Sequence, residues 1–331
     1  MIIRANAYPR AGLIGNPSDG YYGKTISFLF KNFHAEVLLW ESPELEILPN
    51  TRDHSVFGSM KNLVEDVRTY GYYGGIRLLK ASIRRFYDYC ESQRHPLDQR
   101  NFTLRYTSDI PHGVGLAGSS AIVTACVNAL KEFYRVEIPK PIQANLVLSV
   151  EKDELSIGAG LQDRVIQTYG GLVYMDFNRE LMATQGYGRY ESMDPKLLPP
   201  LYIAYDVRLS EGSEIFHNNL RQRFERGEPA LLAAMSFWAG LTDQVRDCLF
   251  KGDRVRLPGL LNANFDKRRE IYKISARNIA MVEAARSVGA SAKFSGSGGA
   301  IVGTYEDEAM FRRLKDKLGS MGIEVIKPIL E

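Results

Sequence analysis

The sequence contains few of the residues that build disulfide frameworks or metal clusters. Its 331 residues include three cysteines and five histidines. The cysteines (Cys90, Cys126 and Cys248) are too few for a disulfide framework and too far apart for a zinc knuckle. The formal charge of +3, from 42 basic and 39 acidic side chains, gives no argument for a nucleic-acid partner. This composition is typical of a globular protein in a reducing compartment.

Long apolar runs are also missing. No segment reaches the roughly 18 uninterrupted apolar residues of a membrane span. The first residues, MIIRANAYPR, lack the apolar run of a signal peptide. We therefore expect a cytoplasmic protein with no membrane partner and no nucleic-acid partner. The sequence does not indicate an oligomeric state.

The chain does contain enough apolar residues for two packed domains. Hydrophobic residues make up 45% of it, and 331 residues exceed what one core usually supports. Residues 178–200 combine glycine and proline with no sustained apolar period, which predicts a linker or a crossing loop. We therefore predict an N-terminal domain over 1–190 and a C-terminal domain over 191–331.

The apolar periodicity predicts an α+β fold. Strands are expected where apolar and polar residues alternate, and helices where apolar residues recur every three to four positions. In the second half, the order strand, helices, two strands, helix and strand is that of a split β-α-β or ferredoxin-like unit. The predicted strands are 1–8, 25–31, 34–40, 101–107, 172–177, 201–206, 293–295, 300–305 and 323–328, and the predicted helices are 73–89, 118–134, 141–154, 162–169, 307–318 and most of 213–288.

The most informative segment is a glycine-rich loop, Pro111 to Ala121, between a predicted strand and a predicted helix. Its three glycines let the backbone turn sharply and approach an oxyanion closely. The helix start adds unpaired N–H groups and the positive end of the helix dipole. Ser119 and Ser120 add hydroxyls that can bind a phosphate oxygen or Mg²⁺. The alternative is a loop with a serine cap and no ligand, although a cap needs only one serine and no glycine triplet.

Two other phosphate-binding motifs match the sequence less well. The three glycines satisfy G-x-G-x-x-G, and Glu137 lies near the position of a Rossmann ribose acid, but the segment before Glu137 is short for a second parallel strand. Gly23-Lys24-Thr25 imitates the end of a Walker A loop, yet Ser18 stands where that motif requires glycine. The hypothesis of a dinucleotide-dependent oxidoreductase therefore depends on these three glycines alone.

A second glycine-rich loop, Ser295 to Ala300, lies between two predicted strands. Because it has no bulky side chain, its backbone can approach another group closely. A plain hairpin turn is an equal alternative for this loop taken alone. Together, the two loops predict two backbone surfaces that close on one polyanionic ligand.

Two acidic residues frame a small-residue segment. Glu151 lies near the end of a predicted helix and Asp163 at the start of another, with Ser156 to Gly160 between them. This spacing lets one acid coordinate a metal ion while the other faces a nucleophile. For Asp163 alone, a helix N-cap is the simpler alternative.

The N-terminal segment that begins at Arg10 carries short polar groups and two tyrosines. Asn16, Ser18 and Asp19 suit the hydroxyls of a sugar, and Tyr22 can stack on its ring. The alternative is a turn, because Asn-Pro-Ser-Asp-Gly is also typical turn sequence.

These segments, in this order, resemble the three motifs of the GHMP kinase superfamily, which includes galactokinases, homoserine kinases and mevalonate kinases. The first motif corresponds to Arg10 to Asp19, the second to Pro111 to Ala121 and the third to Lys293 to Ala300. Within the superfamily the chain most resembles the glucuronokinases, through GNPSDGYYGKTISF (15–28), AGLQDRVIQTYGGLVYMDF (159–177) and KFSGSGGAIVG (293–303).

The resemblance implies both a fold and an activity. The fold would have an N-terminal ribosomal-protein-S5-domain-2-like domain and a C-terminal ferredoxin-like domain. The activity would be that of an ATP- and Mg²⁺-dependent sugar 1-kinase that phosphorylates the anomeric hydroxyl of a uronic acid, with D-glucuronate as the expected acceptor. Galactose, arabinose, a heptose phosphate and mevalonate are alternative acceptors. A non-catalytic small-molecule sensor is another alternative, against which the presence of Glu151 and Asp163 argues.

The resemblance also implies a role for each motif residue. Asp163 would be the base or orienting carboxylate, and Arg10 would stabilise the transferring phosphoryl group. Ser120 and Glu151 would hold Mg²⁺. Arginine is the best planar partner for a uronate carboxylate. The candidates for this contact are Arg77, Arg164 and either Arg268 or Lys267, with a solvated surface charge as the alternative for each, and we rank Arg164 first because it adjoins Asp163. The expected ATP-binding residues are Pro111, Gly113, Gly115, Leu116, Ala117, Gly118, Ser119 and Ser120, and the expected substrate-binding residues are Asp19, Tyr22, Arg164 and Gly298, with Gly296 and Gly299 as support.

Overall fold

A computed structural model describes residues 2–49, 74–209 and 220–330. The strands are β1 (Ile2–Ala7), β2 (Arg10–Ile14), β3 (Lys24–Leu29), β4 (Ala35–Ser42), β5 (Glu46–Leu48), β6 (Asn101–Ser108), β7 (Leu172–Asp176), β8 (Arg189–Met193), β9 (Leu201–Tyr205), β10 (Lys293–Phe294), β11 (Ala300–Thr304) and β12 (Glu324–Ile326). The α-helices with defined bounds are α1 (Gly75–Ser92), α2 (Gly118–Tyr134), α3 (Lys140–Ser149), α4 (Leu161–Tyr169), α5 (Arg179–Gln185), α6 (Pro229–Lys251), α7 (Leu257–Ile271), α8 (Ala276–Ser287) and α9 (Glu308–Gly319). Short 3-10 turns lie at Ser18–Tyr21, Pro195–Leu197 and Val207–Leu209, and a π-helical turn, Val150–Glu154, continues α3.

The chain packs into two compact units, each of which draws on separate segments. Unit 1 consists of Met1–Tyr8, Phe33–Ile110 and Gly118–Ala159, and unit 2 of Pro9–Asn32, Pro111–Ala117 and Gly160–Glu331.

Unit 1 is built on one sheet with the strand order β1-β4-β6-β5. Neighbouring strands are antiparallel except for the parallel pair β5 and β6. The alternation of the sequence places one face of each strand in the core, as in β1, where Ile3, Ala5 and Ala7 are buried and the residues between them are exposed. Helix α2 packs on β1 and β4. It is rich in buried alanine, which lets the helix lie close to the sheet.

Unit 2 contains two antiparallel sheets, with the strand orders β2-β3-β7-β8 and β10-β11-β9-β12. In the second sheet, β9 lies between β11 and β12, and β10 lies at the edge. This is the strand arrangement of a split β-α-β unit and confirms the predicted ferredoxin-like topology. Its core includes Tyr202 from β9, Met281 from α8 and Leu314 from α9.

The residues predicted to form a linker instead form regular structure. Residues 178–200 contain α5, β8 and a 3-10 turn, and β8 pairs with β7 at the edge of its sheet. The Asn178 side chain caps α5 by accepting hydrogen bonds from two backbone N–H groups. The prediction was wrong because α5 has no buried residue and β8 is an edge strand, so neither carries a strong apolar period. The expected domain boundary between residues 190 and 191 falls inside β8 and stays a prediction.

Other predicted elements are close to the observed ones. The helix predicted over 118–134 has those bounds in α2, and the one predicted over 141–154 comprises α3 and the π-helical turn. For the helix predicted over 73–89, residue 73 lies outside the described part of the chain, and α1 begins at Gly75. Among the described residues, no helix is both long and apolar enough to cross a bilayer.

Candidate active site

The glycine-rich loop of unit 2, residues 111–117, has a backbone that few other sequences could follow. The φ angles of Gly113, Gly115 and Ala117 are +71°, +68° and +64°, which is the left-handed region. At Gly115 a Cβ would lie 2.9 Å from the carbonyl oxygen of Gly298, so that a side chain would press on the second glycine-rich loop. The two loops that the sequence singled out therefore pack directly on each other.

Arg10 holds the first loop through its backbone. The Arg10 guanidinium donates from Nη1 to the Gly115 carbonyl at 2.6 Å, and the Arg10 backbone N–H donates to the Leu116 carbonyl at 3.2 Å. Farther along, Gln167 Nε2 donates to the Ala117 carbonyl at 3.0 Å. These bonds fix the loop whatever side chains it carries.

The second loop, residues 295–299, is fixed from its other side. Arg268 donates to the carbonyls of Gly296 and Ser297 at 2.9 and 3.0 Å, and the Gly299 N–H donates to Asn278 Oδ1 at 3.1 Å. A Cβ at Gly296 would overlap the carbonyl oxygen of Gly115. Gly296 is thus needed for the contact between the loops, which the sequence alone did not reveal.

In unit 1, a carboxylate lies beside the start of helix α2. Glu151 is fully buried in the π-helical turn after α3, and the Ser119 hydroxyl donates to its Oε1 at 2.6 Å. Ser120, the hydroxyl expected beside Glu151, is also fully buried. Carboxylate and hydroxyl oxygens are ligands that Mg²⁺ takes, so these residues suit that ion chemically. Across the described ranges, no three acidic, histidine or cysteine side chains come together as a metal cluster.

In unit 2, Arg10 and Asp163 form a buried ion pair. Arg10 begins β2, Asp163 lies in the first turn of α4, and Arg10 Nε donates to Asp163 Oδ1 at 2.6 Å. The side chains of Arg10 and Asp163 are 6% and 18% exposed, so the carboxylate keeps limited access to solvent. A second cation, Arg164, lies 3.3 Å from Asp163 Oδ2 and donates to the Gly160 carbonyl at 2.9 Å.

These cations keep Asp163 ionised. Burial raises the pKa of the Asp163 carboxyl, but the charges of Arg10 and Arg164 lower it by more, so the pKa lies below its ordinary value. An ionised carboxylate of low basicity can orient a hydroxyl and accept its proton once that hydroxyl has begun to form a new bond.

Asp19 lies against the start of the same helix. Gly160 precedes α4, and a Cβ at Gly160 would overlap the Asp19 carboxylate. Burial, followed by the neighbouring Asp163 carboxylate, raises the pKa of Asp19 to about 6, although Arg10 and the backbone N–H of Gln162 act in the opposite direction. The two expected site carboxylates therefore lie in one neighbourhood with opposite pKa shifts.

Tyr22 reaches solvent, whereas the adjacent Tyr21 and Gly23 are buried. Its side chain is 45% exposed, and its φ of +61° is left-handed, which is uncommon for a residue other than glycine. The Arg179 guanidinium lies 4.8 Å above the centre of the Tyr22 ring. Arg179 therefore covers one face of the ring, and contact of Tyr22 with a sugar stays a prediction.

Two residues considered for sugar contacts are used inside the protein instead. Ser18 is fully buried, and its hydroxyl bonds to the carbonyl and N–H of Lys24 at 3.0 and 3.2 Å. Asn16 is 3% exposed and bonds to Phe294 and to Lys293. For Ser18, the turn alternative is therefore the better description.

Arg164 has a structural task beside its expected one. It is 4% exposed, and its Nη1 group is engaged by Gly160 and Asp163. This position lets it orient Asp163, and its role toward a substrate carboxylate stays a prediction.

Sequence reasoning did not predict which residues support the loops. It treated Arg268 as a candidate partner of the uronate carboxylate and Lys293 as the first residue of the third motif, and it gave Asn264 and Asn278 no role. Lys293, Arg268, Asn264 and Asn278 are all buried, and each bonds to a loop backbone or to a residue that holds one. The residue types alone do not mark them, because α7 and α8 also carry exposed charged residues, and burial is what distinguishes the supporting groups.

The sequence matches a known protein family and two curated relatives. Residues 77–171 match the family described as the GHMP kinases N-terminal domain. The chain is 45% identical over 306 residues to glucuronokinase 1 of Arabidopsis thaliana. The aligned region covers 91% of this chain and 84% of that protein. It is also 45% identical over 308 residues to probable glucuronokinase 2 of the same plant, with the same coverage of 91% and 84%.

The fold is shared with solved structures. The galactokinase of Lactococcus lactis, complexed with galactose, superposes with a TM-score of 0.77 at 14% identity, over 99% of this chain and 93% of that one. The predicted α+β fold is thereby confirmed. The extent and level of identity to the two Arabidopsis proteins establish the family as well: this chain belongs to the GHMP kinases and is a phosphotransferase that uses ATP and an alcohol acceptor.

Proposed function

We propose that this protein is an ATP- and Mg²⁺-dependent sugar 1-kinase that converts D-glucuronate to glucuronate 1-phosphate. The observation that carries the phosphoryl-transfer chemistry is the buried pair of Arg10 and Asp163, with Arg10 bonded to the glycine-rich loop as well. The choice of glucuronate is supported by the 45% identity to the Arabidopsis glucuronokinases.

The pair divides the chemistry between a cation and an anion. Asp163 orients the anomeric hydroxyl, whose oxygen attacks the γ-phosphorus of ATP while the bond to the β-phosphate oxygen breaks and ADP leaves with its electrons. The hydroxyl proton passes to Asp163 late in the step, which suits a carboxylate whose pKa is lowered. Arg10 stabilises the negative charge on the transferring group, and its bonds to Gly115 and Asp163 fix its direction.

The remaining site residues would bind the two substrates. We assign ATP to the loop Pro111 to Ala117 and the following Gly118, Ser119 and Ser120, and the sugar to Asp19 and Tyr22, with Arg164 and Gly298 beside them. Asp19 is ionised at neutral pH, and a carboxylate is a strong acceptor for sugar hydroxyls.

Magnesium would be held by Glu151 together with a hydroxyl at the start of α2, either Ser120 as expected from the sequence or Ser119, which bonds to Glu151. One carboxylate and one hydroxyl leave most of its coordination to phosphate oxygens and water, as is usual for this ion. When bound, Mg²⁺ neutralises phosphate charge. The cytoplasmic location expected from the sequence stays a prediction.

The test is ADP release over a panel of acceptors: glucuronate, galactose, arabinose, a heptose phosphate and mevalonate. We expect turnover with glucuronate only, and its loss when EDTA removes Mg²⁺. Asp163→Ala should lower kcat by at least about 100-fold, because the orienting carboxylate is removed. Turnover with another panel member and none with glucuronate would replace the acceptor. No turnover with any panel member, or full turnover by Asp163→Ala, would contradict the proposed mechanism.

A further inference from the structure

Lys293 is a fully buried cation that the chemistry above does not use. Its side chain is 0% exposed, and its Nζ donates to the Gly12 carbonyl at 2.5 Å, to Asn16 Oδ1 at 2.6 Å and to the Phe294 carbonyl at 2.8 Å. All three acceptors are uncharged oxygens. Three acceptors match the three N–H groups of an ammonium ion.

A lysine in this position is costly for the fold. Burial, and then the charges of Arg268 on α7 and Arg10 on β2, lower the pKa of Lys293 well below its ordinary value. A buried cation without a carboxylate partner is destabilising unless its hydrogen bonds compensate. An apolar side chain of similar length would fill the space without that cost, so the hydrogen bonds themselves point to a role.

The acceptors of Lys293 lie between two site residues in the sequence. Gly12 follows the catalytic Arg10 closely on β2, and Asn16 shortly precedes Asp19. Because Lys293 holds Gly12 and Asn16, it fixes the backbone next to Arg10 on one side and next to Asp19 on the other. The contact also joins this segment to β10, because Lys293 and Phe294 form that strand.

A buried asparagine holds the same segment from α7. Asn264 Nδ2 donates to the Asn16 carbonyl at 3.1 Å, and Asn264 Oδ1 accepts from the Gly15 N–H at 2.8 Å. The Gly12 N–H donates to the Ser295 carbonyl at 2.9 Å. Residues 12–16 are thus fixed by backbone and side-chain bonds, and Lys293 supplies the cation among them.

The second glycine-rich loop has its own support. Arg268 and Asn278, not Lys293, bond to the backbone of residues 296–299, which packs on the ATP loop at Gly115. Lys293 and Arg268 therefore support different segments, residues 12–16 and residues 296–297, although the Asn16 amide also donates to the Gly296 carbonyl at 3.5 Å and the two cations are buried close to each other.

We propose that Lys293 is a positioning residue for the acceptor side of the site: its ammonium fixes residues 12–16 and thereby the placement of Arg10 and Asp19, while Arg268 supports the second glycine-rich loop. The expected effect of Lys293 on kinetics rests on the proposed sugar kinase activity. Its effect on the position of residues 12–16 does not depend on which acceptor the enzyme uses.

The kinetic experiment compares Lys293→Met with Arg268→Lys. Lys293→Met keeps the volume and removes all three donors, and a small misplacement of reacting groups lowers rates by about 100-fold. We expect kcat/KM for glucuronate to fall by about that factor, and the KM for ATP to rise by a smaller factor, because Arg10 also bonds to the loop at Gly115. Arg268→Lys alters the support of the second loop instead and should raise the KM for ATP more than Lys293→Met does, because that loop packs on Gly115. Lys317→Met, an exposed lysine on α9, is the matched control and should behave as wild type.

Equal rises in both KM values for Lys293→Met, or no change in kcat and in the KM for glucuronate, would overturn the proposal. If Lys293→Met fails to fold, Asn16→Ala decides the matter, since it removes one acceptor of the ammonium. This variant should show the same selective loss to a smaller extent, and unchanged glucuronate kinetics would overturn the proposal equally.

Hydrogen exchange, measured without any substrate, separates this proposal from the proposed function. In Lys293→Met, backbone amides of residues 12–19 should exchange at least about tenfold faster, and those of residues 308–319 in α9 should keep their wild-type rates. Unchanged exchange in 12–19 would overturn the role of Lys293. A wild-type protein that does not phosphorylate glucuronate would instead overturn the acceptor and leave the exchange result standing.

Discussion

At the scale of single residues, the two carboxylates at the start of α4 have different charge states near neutral pH. The pKa of Asp163 is held below its ordinary value by Arg10 and Arg164, whereas burial raises that of Asp19 to about 6. Asp163 is therefore ionised over the whole working range, and Asp19 gains a proton under mildly acidic conditions. A poorly solvated charge in an active site has a cost, because it lowers the free energy of unfolding.

The first prediction concerns that cost. Because the pKa of Asp19 is higher in the folded protein than the ordinary value of 3.8, the folded state binds the proton more tightly, and stability falls as the pH rises from about 4 to about 6. Above that window the full cost is present. Asp19→Asn should therefore raise the free energy of unfolding at pH 7.5 by ~2 kcal/mol and lower kcat/KM for the sugar.

Thermal melts at two pH values check this prediction. The stabilisation by Asp19→Asn should be present at pH 7.5 and nearly absent at pH 4, where Asp19 is protonated in the folded protein. A stabilisation of equal size at both pH values would show that the charge of Asp19 is not its cause.

At the scale of elements, the contact between the two glycine-rich loops requires a residue without a side chain. A Cβ at Gly296 would overlap the Gly115 carbonyl oxygen and lie 3.0 Å from two guanidinium nitrogens of Arg10. Both loops are tied to other groups by hydrogen bonds, so neither can move away freely.

We therefore predict that Gly296→Ala lowers the free energy of unfolding by about 2 kcal/mol and raises the KM for ATP. Gly240→Ala is the control, because Gly240 lies inside α6 and a Cβ there would meet nothing within 4 Å. This second variant should raise stability by up to ~1 kcal/mol, as alanine favours helix over glycine. Denaturant unfolding and ATP kinetics measure both effects, and an unperturbed Gly296→Ala protein would contradict the loop contact.

The helices and strands also show which elements can be predicted from apolar periodicity in the sequence. The bounds of α2 were predicted because its apolar period is continuous, and its start was marked by glycine and serine. Helix α5 and strand β8 were missed because they lie at an edge and bury little. Local periodicity reports burial, so an element that buries little leaves little trace in it.

At the scale of the whole molecule, ligand binding should stabilise the fold. A ligand that binds only the folded state raises the free energy of unfolding by ~2.7 kcal/mol when present at 100 times its Kd. We predict that ATP with Mg²⁺ raises the melting temperature by several degrees, and that NAD leaves it unchanged. A shift with NAD and none with ATP would support the dinucleotide-binding alternative for the glycine loop and contradict the proposed nucleotide.

The sequence by itself indicated the family and the α+β fold and predicted which residues carry the chemistry, because glycines, acids and a cation at fixed spacings leave their mark in the order of residues. Only the tertiary structure decided which of them act together. It paired Arg10 with Asp163 across 153 positions and placed Asp19 beside both. It also turned Asn16 and Ser18 inward and made Lys293 a partner of residues near the N-terminus. The physical reason is that hydrogen bonds and burial depend on distance in space, and a local pattern records only the neighbours of a residue along the chain.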